Sequence, residues 1–208
     1  VLLDNLAVLG FSPADIDIVV LSHLHFDHAG GLLTAWEPDK APQLCFPNAH
    51  FLVSEAGWER AQQPHYRDRA SFIPELNQLL ESSGRLCVIE GNTSEILGAG
   101  YRFHYSDGHT PGLMLCELST IKGPIVFAGD LIPGTSWVHL PITMGYDRFP
   151  ECLIDEKSAL LTDLLNRTGS LFFTHDPEVA LGRVEHDEKG RFTVVELVKS
   201  SDLVAHQY

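Results

Sequence analysis

Apolar residues recur at helical spacing over residues 2–9 and Gly10 supplies a stop, so the chain opens on a predicted helix. Ser12-Pro13 reads as a turn. Residues 17–22 (DIVVLS) are β-branched and almost wholly apolar, the pattern of a strand covered on both faces, and this strand runs straight into His23. Beyond the Gly30-Gly31 pair, 32–36 is predicted as a short helix ending before Pro38, 51–53 as a short strand and 54–62 as the helix it feeds. A polar loop over 63–69 precedes a helix at 72–80 and a strand at 86–90. Strands follow at 101–106, 113–118 and 124–128, with 106–112 as the loop between the first two. Residues 151–165 place apolar side chains at 153, 154, 160, 161, 164 and 165, the stripe of an amphipathic helix. A buried strand at 171–174 and a terminal strand at 192–198, after the Lys189-Gly190 turn, complete the chain. Short β-rich runs alternate with helical patterns and no internal repeat is visible, which predicts a layered α/β (α+β) construction.

Composition narrows this picture. A chain of 208 residues, 44% hydrophobic and 20% charged, is long enough for one domain with a real core. Its net charge of −14 repels a phosphate backbone, so no nucleic-acid partner is expected. The longest apolar runs fall far short of the roughly 20 residues that span a bilayer, so no membrane partner is expected either. Cys45, Cys87, Cys116 and Cys152 form no CxxC pair and read as reduced, buried thiols. The chain opens at Val1 without a Met or a basic, apolar leader, and a cytoplasmic location is the working expectation.

The chemistry concentrates in His23-Leu24-His25-Phe26-Asp27-His28, three imidazoles and a carboxylate at the end of a buried strand. In an extended backbone His23 and His25 point the same way, and the turn permitted by Gly30-Gly31 swings Asp27 and His28 round to face them. Two adjacent metal positions then need further ligands, which strand ends elsewhere supply. His109 lies in Asp107-Gly108-His109-Thr110-Pro111-Gly112, Asp130 ends Ala128-Gly129-Asp130, and His175 stands in Phe173-Thr174-His175-Asp176. Each is weak alone, since a lone strand-end His is more often hydrogen-bonded structure; their order after HxHxDH gives them weight together.

These segments, SHLHFDHAGG, DGHTPG, AGD and THD, resemble the metallo-β-lactamase superfamily in its dinuclear hydrolase form, over nearly the whole chain. The resemblance implies a four-layer αββα sandwich and a single domain over 1–208. Members of the family carry a strand-rich segment before the helix equivalent to residues 2–9, and nothing here corresponds to it, so the domain reads as N-terminally incomplete. The same resemblance implies that His23, His25 and His109 bind one divalent metal ion and that Asp27, His28 and His175 bind a second, with Asp130 bridging the two. Zinc is the expected metal, with iron or manganese as alternatives, because His and carboxylate ligands select no single ion strongly. Two close cations lower the pKa of a bridging water and polarise the oxygen under attack, so a bridging hydroxide is the expected nucleophile and Asp27 the proton relay to the leaving group.

Within the family the motifs are most similar to N-acyl homoserine lactonases and neighbouring lactone, ester and phosphotriester hydrolases. Pro133 stands in the region where lactonases usually carry a Tyr, and Leu113 replaces a His that often follows GHTPG. Tyr146 is the candidate substitute hydroxyl, and Phe26, Trp137 and His139 are candidate contacts for a small-molecule substrate. A lactone is the first expected substrate. A glyoxalase II-like thioesterase, a phosphotriester hydrolase and a catalytically silent metal-binding scaffold are the alternatives, and a homodimer is open because dimerisation is common in such families. His50, His65, His104, His186 and His206 are expected in surface or satisfied structural roles, and Asp155-Glu156 and Glu185 to Glu188 as solvated faces.

Overall fold

The computed structural model describes residues 2–201. Contacts divide the chain after Glu90 into two units, each with its own sheet and core.

The first unit begins with α1 (Leu2–Val8), which ends as Gly10 adopts φ +81°. After it come β1 (Ile18–Val20), α2 (Phe26–Ala29), β2 (His50–Ser54), α3 (Glu55–Gln62), α4 (Pro74–Ser82) and β3 (Leu86–Ile89). The three strands are parallel in the order β1-β2-β3, with Ile18 opposite His50 and Phe51 opposite Leu86. A parallel pair needs a long crossover, and α3 and α4 provide it between β2 and β3. The Ser54 hydroxyl accepts from the Gly57 N–H at 3.0 Å and caps α3, while Pro74 starts α4 where its missing N–H leaves nothing unbonded. Phe51, Val53 and Leu80 are fully buried in this unit's core.

Three expectations change here. Double coverage belongs to β2; β1 pairs only with β2 and its residues are half-buried. No helix forms over 32–36: a 3-10 turn at Gly30–Leu32 leads into an extended arm, in which Leu33 bridges Leu44 and the Thr34 N–H donates to the Gln43 carbonyl at 2.9 Å. The predicted helix at 72–80 begins two residues late, because Phe72 is extended in an antiparallel bridge with His25.

The second unit contains β4 (Tyr101–Ser106), β5 (Leu113–Leu118), β6 (Ile125–Phe127), α5 (Pro150–Asn166), β7 (Ser170–Phe172), β8 (Val179–His186) and β9 (Phe192–Lys199). Its sheet runs in chain order and every neighbouring pair is antiparallel except β6 and β7, which are parallel and joined through α5. The apolar stripe of α5 is as expected: Leu153, Leu160, Leu161 and Leu164 pack with Leu113, Leu115, Val126 and Leu171. Strand β8 was not expected from the pattern. Its Ala180, Gly182 and Val184 alternate inward, but a glycine and charged outward residues obscure the period; a β-carbon on Gly182 would meet the Val194 Cβ at 2.8 Å.

The four cysteines are free thiols, half-buried where burial was expected. His104, His65 and His186 have structural partners: Glu117 at 2.7 Å, the Arg67 N–H at 3.1 Å and the Phe192 ring at 4.7 Å between centroids. His206 lies outside the described residues. Among those described, no helix is long and apolar enough to cross a membrane.

Candidate metal centre

In the first unit the chain leaves β1 through buried Leu21 and Ser22 and delivers His23 and His25, both buried. The His23 ring lies 4.5 Å from the His25 ring, edge-on, and 4.1 Å from the His28 ring, centroid to centroid. The turn expected after His25 is a single turn of helix: His25 is the N-cap of α2, and its carbonyl accepts from the N–H groups of His28 and Ala29 at 3.1 and 2.9 Å. Asp27 sits on the exposed side with an oxygen 3.6 Å from His28 Nε2. The backbone bridge to Phe72 and an edge-on contact with its ring at 5.0 Å fix His25, while the Ser22 hydroxyl lies 3.2 Å from His23 Nδ1. Phe26, at the start of α2, is 58% exposed.

In the second unit Asp130 and His175 leave the C-terminal ends of β6 and β7, and His109 comes from the loop between β4 and β5. Asp130 is buried, and its carboxylate lies between two imidazoles: Oδ2 is 3.3 Å from His109 Nε2 and Oδ1 is 3.2 Å from His175 Nε2. The loop segments are tied individually. The His175 N–H donates to the Pro133 carbonyl at 2.9 Å, and the Thr174 hydroxyl donates to the Gly129 carbonyl at 3.1 Å, where Gly129 takes the left-handed φ of +49°. Asp176 accepts from the Thr135 N–H and hydroxyl at 2.9 and 2.7 Å. Burial works to raise its pKa, but these bonds and those from the Val179 and Glu178 N–H groups hold it at about 2.

Sequence reasoning overlooked two carboxylates that set the geometry around His109. Asp147 is buried; its Oδ1 lies 2.9 Å from His109 Nδ1, and its Oδ2 accepts from the Met144 N–H at 2.6 Å. Glu156 on α5 was expected on a solvated face. Instead it accepts from the Ser106 hydroxyl at 2.6 Å and from the N–H groups of Asp107 and Gly108 at 2.8 and 3.1 Å, so it caps the loop that carries His109. The one signal for Asp147 was its place beside Tyr146 between two ligand segments. Nothing local marked Glu156, because its partners are about fifty residues away along the chain.

The remaining candidates are placed as follows. The Tyr146 ring is 65% exposed and stands edge-on to His109 at 6.0 Å between centroids. Trp137 packs against the core of the second unit. His139 lines a pocket of about 250 Å³ with Thr135, Ser136, Asp187, Arg191, Phe192 and Thr193.

The donor chemistry of the second unit suits a cation. A carboxylate oxygen only accepts, so a proton on His109 Nδ1 suits Asp147, and Nε2 is then the nitrogen available as a donor to a cation on the Asp130 side. A positive charge, whether a metal ion or a second imidazole proton, suits the 3.3 Å gap between Nε2 and the Asp130 oxygen. The packed imidazoles of His23, His25 and His28 in the first unit offer nitrogen donors of the same kind.

Comparison with known proteins follows the same lines. N-acyl homoserine lactonases of a Bacillus species and of Bacillus cereus are 30% and 29% identical to the chain over 123 and 118 residues, 59% and 57% of its length. The matches take in 41% and 39% of those relatives, so the chain spans less than half the length of the curated proteins it matches. Among solved structures, a probable metal-dependent hydrolase from Staphylococcus aureus superposes with a TM-score of 0.79 at 24% identity, covering 94% of this chain and 68% of that one. AidC, a dizinc quorum-quenching lactonase solved in complex with a product, gives 0.74 at 26% identity, covering 93% and 68%. The profile of the metallo-beta-lactamase superfamily matches residues 1–175, and the chain belongs to that superfamily.

Proposed function

We propose that this chain carries the centre of a dinuclear, metal-dependent hydrolase acting on a small neutral ester, with a lactone as the first substrate class. One observation carries the reading: Asp130 is buried with each of its two oxygens against a different imidazole, the arrangement of a carboxylate shared by two cations. His23, His25 and His109 are the ligands proposed for one ion, Asp27, His28 and His175 for the other, and Asp130 for both, all within one domain. Five imidazoles and two carboxylates suit zinc, with iron or manganese as alternatives. Likeness to lactonases, one of them described as dizinc, supports the metal and the substrate class.

Two bound cations supply Lewis acidity and acidify water at the site. Around them the chain's residues have separate tasks. Asp147 holds the proton on His109 Nδ1 and so presents Nε2 as a donor, and Ser22 orients His23 by its Nδ1. Asp27, the carboxylate on the solvent side of α2, takes the proton of the attacking water and passes it to the alkoxide released when the ring C–O bond breaks, so a hydroxy acid leaves. The Tyr146 hydroxyl donates to the acyl oxygen, and Phe26, Trp137 and His139 are the proposed substrate contacts.

The test is proton release in weakly buffered solution near pH 8, from zinc-loaded protein and from a His109→Ala control, with acyl lactones, thioesters, β-lactams and phosphotriesters offered in turn. Release confined to lactones and absent from the control is the expected result. Release on another class reassigns the substrate, and silence on all four overturns the hydrolase reading of this chain.

A further inference from the structure

Lys157 is the one cation on the apolar face of α5, among Leu153, Leu160, Leu161 and Leu164, and it has no exposed surface. Its Nζ donates to three backbone carbonyls, those of Trp137 at 2.8 Å, His139 at 3.1 Å and Ile142 at 2.7 Å. An ammonium has three N–H groups, so all three are used. The carbonyls belong to one stretch outside the sheet: Trp137 sits in a 3-10 turn at Thr135–Val138, and the His139 carbonyl also accepts from the Ile142 N–H at 3.1 Å. That segment leads directly to Met144, whose N–H donates to Asp147, and Asp147 in turn meets His109. Burial pushes the Lys157 pKa down to about 8, and the nearby Asp147 carboxylate works against that shift without cancelling it.

A lysine in a leucine-lined groove is a poor choice for stability alone, since a well-packed apolar residue avoids the desolvation cost. The carbonyl set supplies the reason for its presence. We propose that Lys157 is a positioning residue of the metal centre: by tying the 137–142 segment to α5 it sets the place of Asp147, and through Asp147 the orientation of His109. The inference rests on the metal-centre reading above and adds to it a residue that touches neither ligand nor substrate.

The test compares wild type, Lys157→Met, Lys157→Arg and Leu161→Ala, the last a buried truncation on the same helix that makes none of these bonds. Zinc affinity is read by competition with a chromogenic chelator, and thermal melting of the zinc-free proteins reports stability separately. Lys157→Met is expected to weaken zinc by about 10-fold or more, as loss of an outer support to a ligand does. Lys157→Arg is expected to recover part of it, and Leu161→Ala to lower the melting temperature while leaving affinity within about twofold of wild type. If Lys157→Met does not fold, Lys157→Gln, which keeps a neutral donor, replaces it with the same expected direction. Affinity in the Met or Gln variant within about twofold of wild type, or a loss equal to that of Leu161→Ala, overturns the role. Absence of zinc uptake by wild type removes the metal centre itself and the inference with it.

Discussion

Gly108 runs so close to Leu153 that a β-carbon added to it would lie 2.4 Å from the Leu153 Cα. The loop before His109 is therefore seated on the backbone of α5, and only hydrogen fits between them. Gly108→Ala must lift the loop, breaking the bonds from Asp107 and Gly108 to Glu156. The expected cost is about 1–3 kcal/mol of stability, together with weaker zinc binding, measured by denaturant melts and chelator competition. A variant with wild-type values in both would show that the loop does not need this seat.

Glu156→Ala removes the acceptor of the Ser106 hydroxyl and of two loop N–H groups. The partly buried donors of Ser106 and Gly108 left without a partner cost about 1–3 kcal/mol, so a loss in that range is expected, with Glu156→Gln falling between Ala and wild type. Amide hydrogen exchange at Asp107 and Gly108 should accelerate in the Ala variant and locate the effect.

Asp147→Asn keeps the shape of the side chain but offers an amide where two donors now point, from His109 and Met144. Zinc affinity is expected to fall by about 10–100-fold, read by equilibrium dialysis, and hydrolysis should fall with it at sub-saturating zinc.

Glu117 supplies a pH-dependent element far along the sheet from these ligands. It is 2% exposed, and its oxygens meet Arg167 at 2.5 and 3.0 Å and His104 at 2.7 Å. Burial acts to raise its pKa, but the bonds from Arg167 and His104 win and hold it below the ordinary value. A folded-state pKa below the unfolded one stabilises the protein above the unfolded value, and the gain fades as pH falls below the ordinary glutamate value through the lower folded-state one. Arg167 is about a third exposed and keeps its bond to Asp163, so Glu117→Gln is expected to cost about 1.5 kcal/mol at pH 7, with the gap to wild type narrowing in urea melts run at pH 4 and below. A gap that is constant with pH would contradict this account.

Metal removal tests the centre without mutation. Chelator-treated protein should lose all hydrolysis and regain it with two zinc ions per chain. Each zinc ion at about 100 times its dissociation constant adds about 2.7 kcal/mol to the folded state, which at this chain length raises the melting temperature by about 5–10 °C per ion.

The parts legible in the sequence are those encoded within a few residues. The α5 stripe, β4 and β5 follow from local periodicity; HLHFDH is distinctive by itself, and GHTPG, AGD and THD gain their weight from following it in order. What escaped depends on distant neighbours. Glu156 stands beside Asp155 on a helix and looks solvated until Gly108 arrives against it. Asp147 and Lys157 are ordinary charged residues by composition, and only the folded 137–147 segment, with His109 from the loop between β4 and β5, gives them their partners. The 32–36 segment has a helix-like apolar content, yet Leu33 is drawn into an extended pairing with Leu44.

The lone parallel pairing in the second unit's sheet puts its two strand-end ligands in phase. Phe127 lies opposite Phe172, and Asp130 and His175 each stand three residues farther on. Parallel neighbours advance together, so the carboxylate and the imidazole emerge at the same height on the same edge; an antiparallel partner would have sent them to opposite edges. A one-residue insertion between Phe127 and Asp130, or between Phe172 and His175, would put the pair out of step. Matched insertions in both would move the whole outlet outward and keep its spacing, which makes these two strand ends a matched couple for anyone who wishes to deepen or shallow the site without separating its ligands.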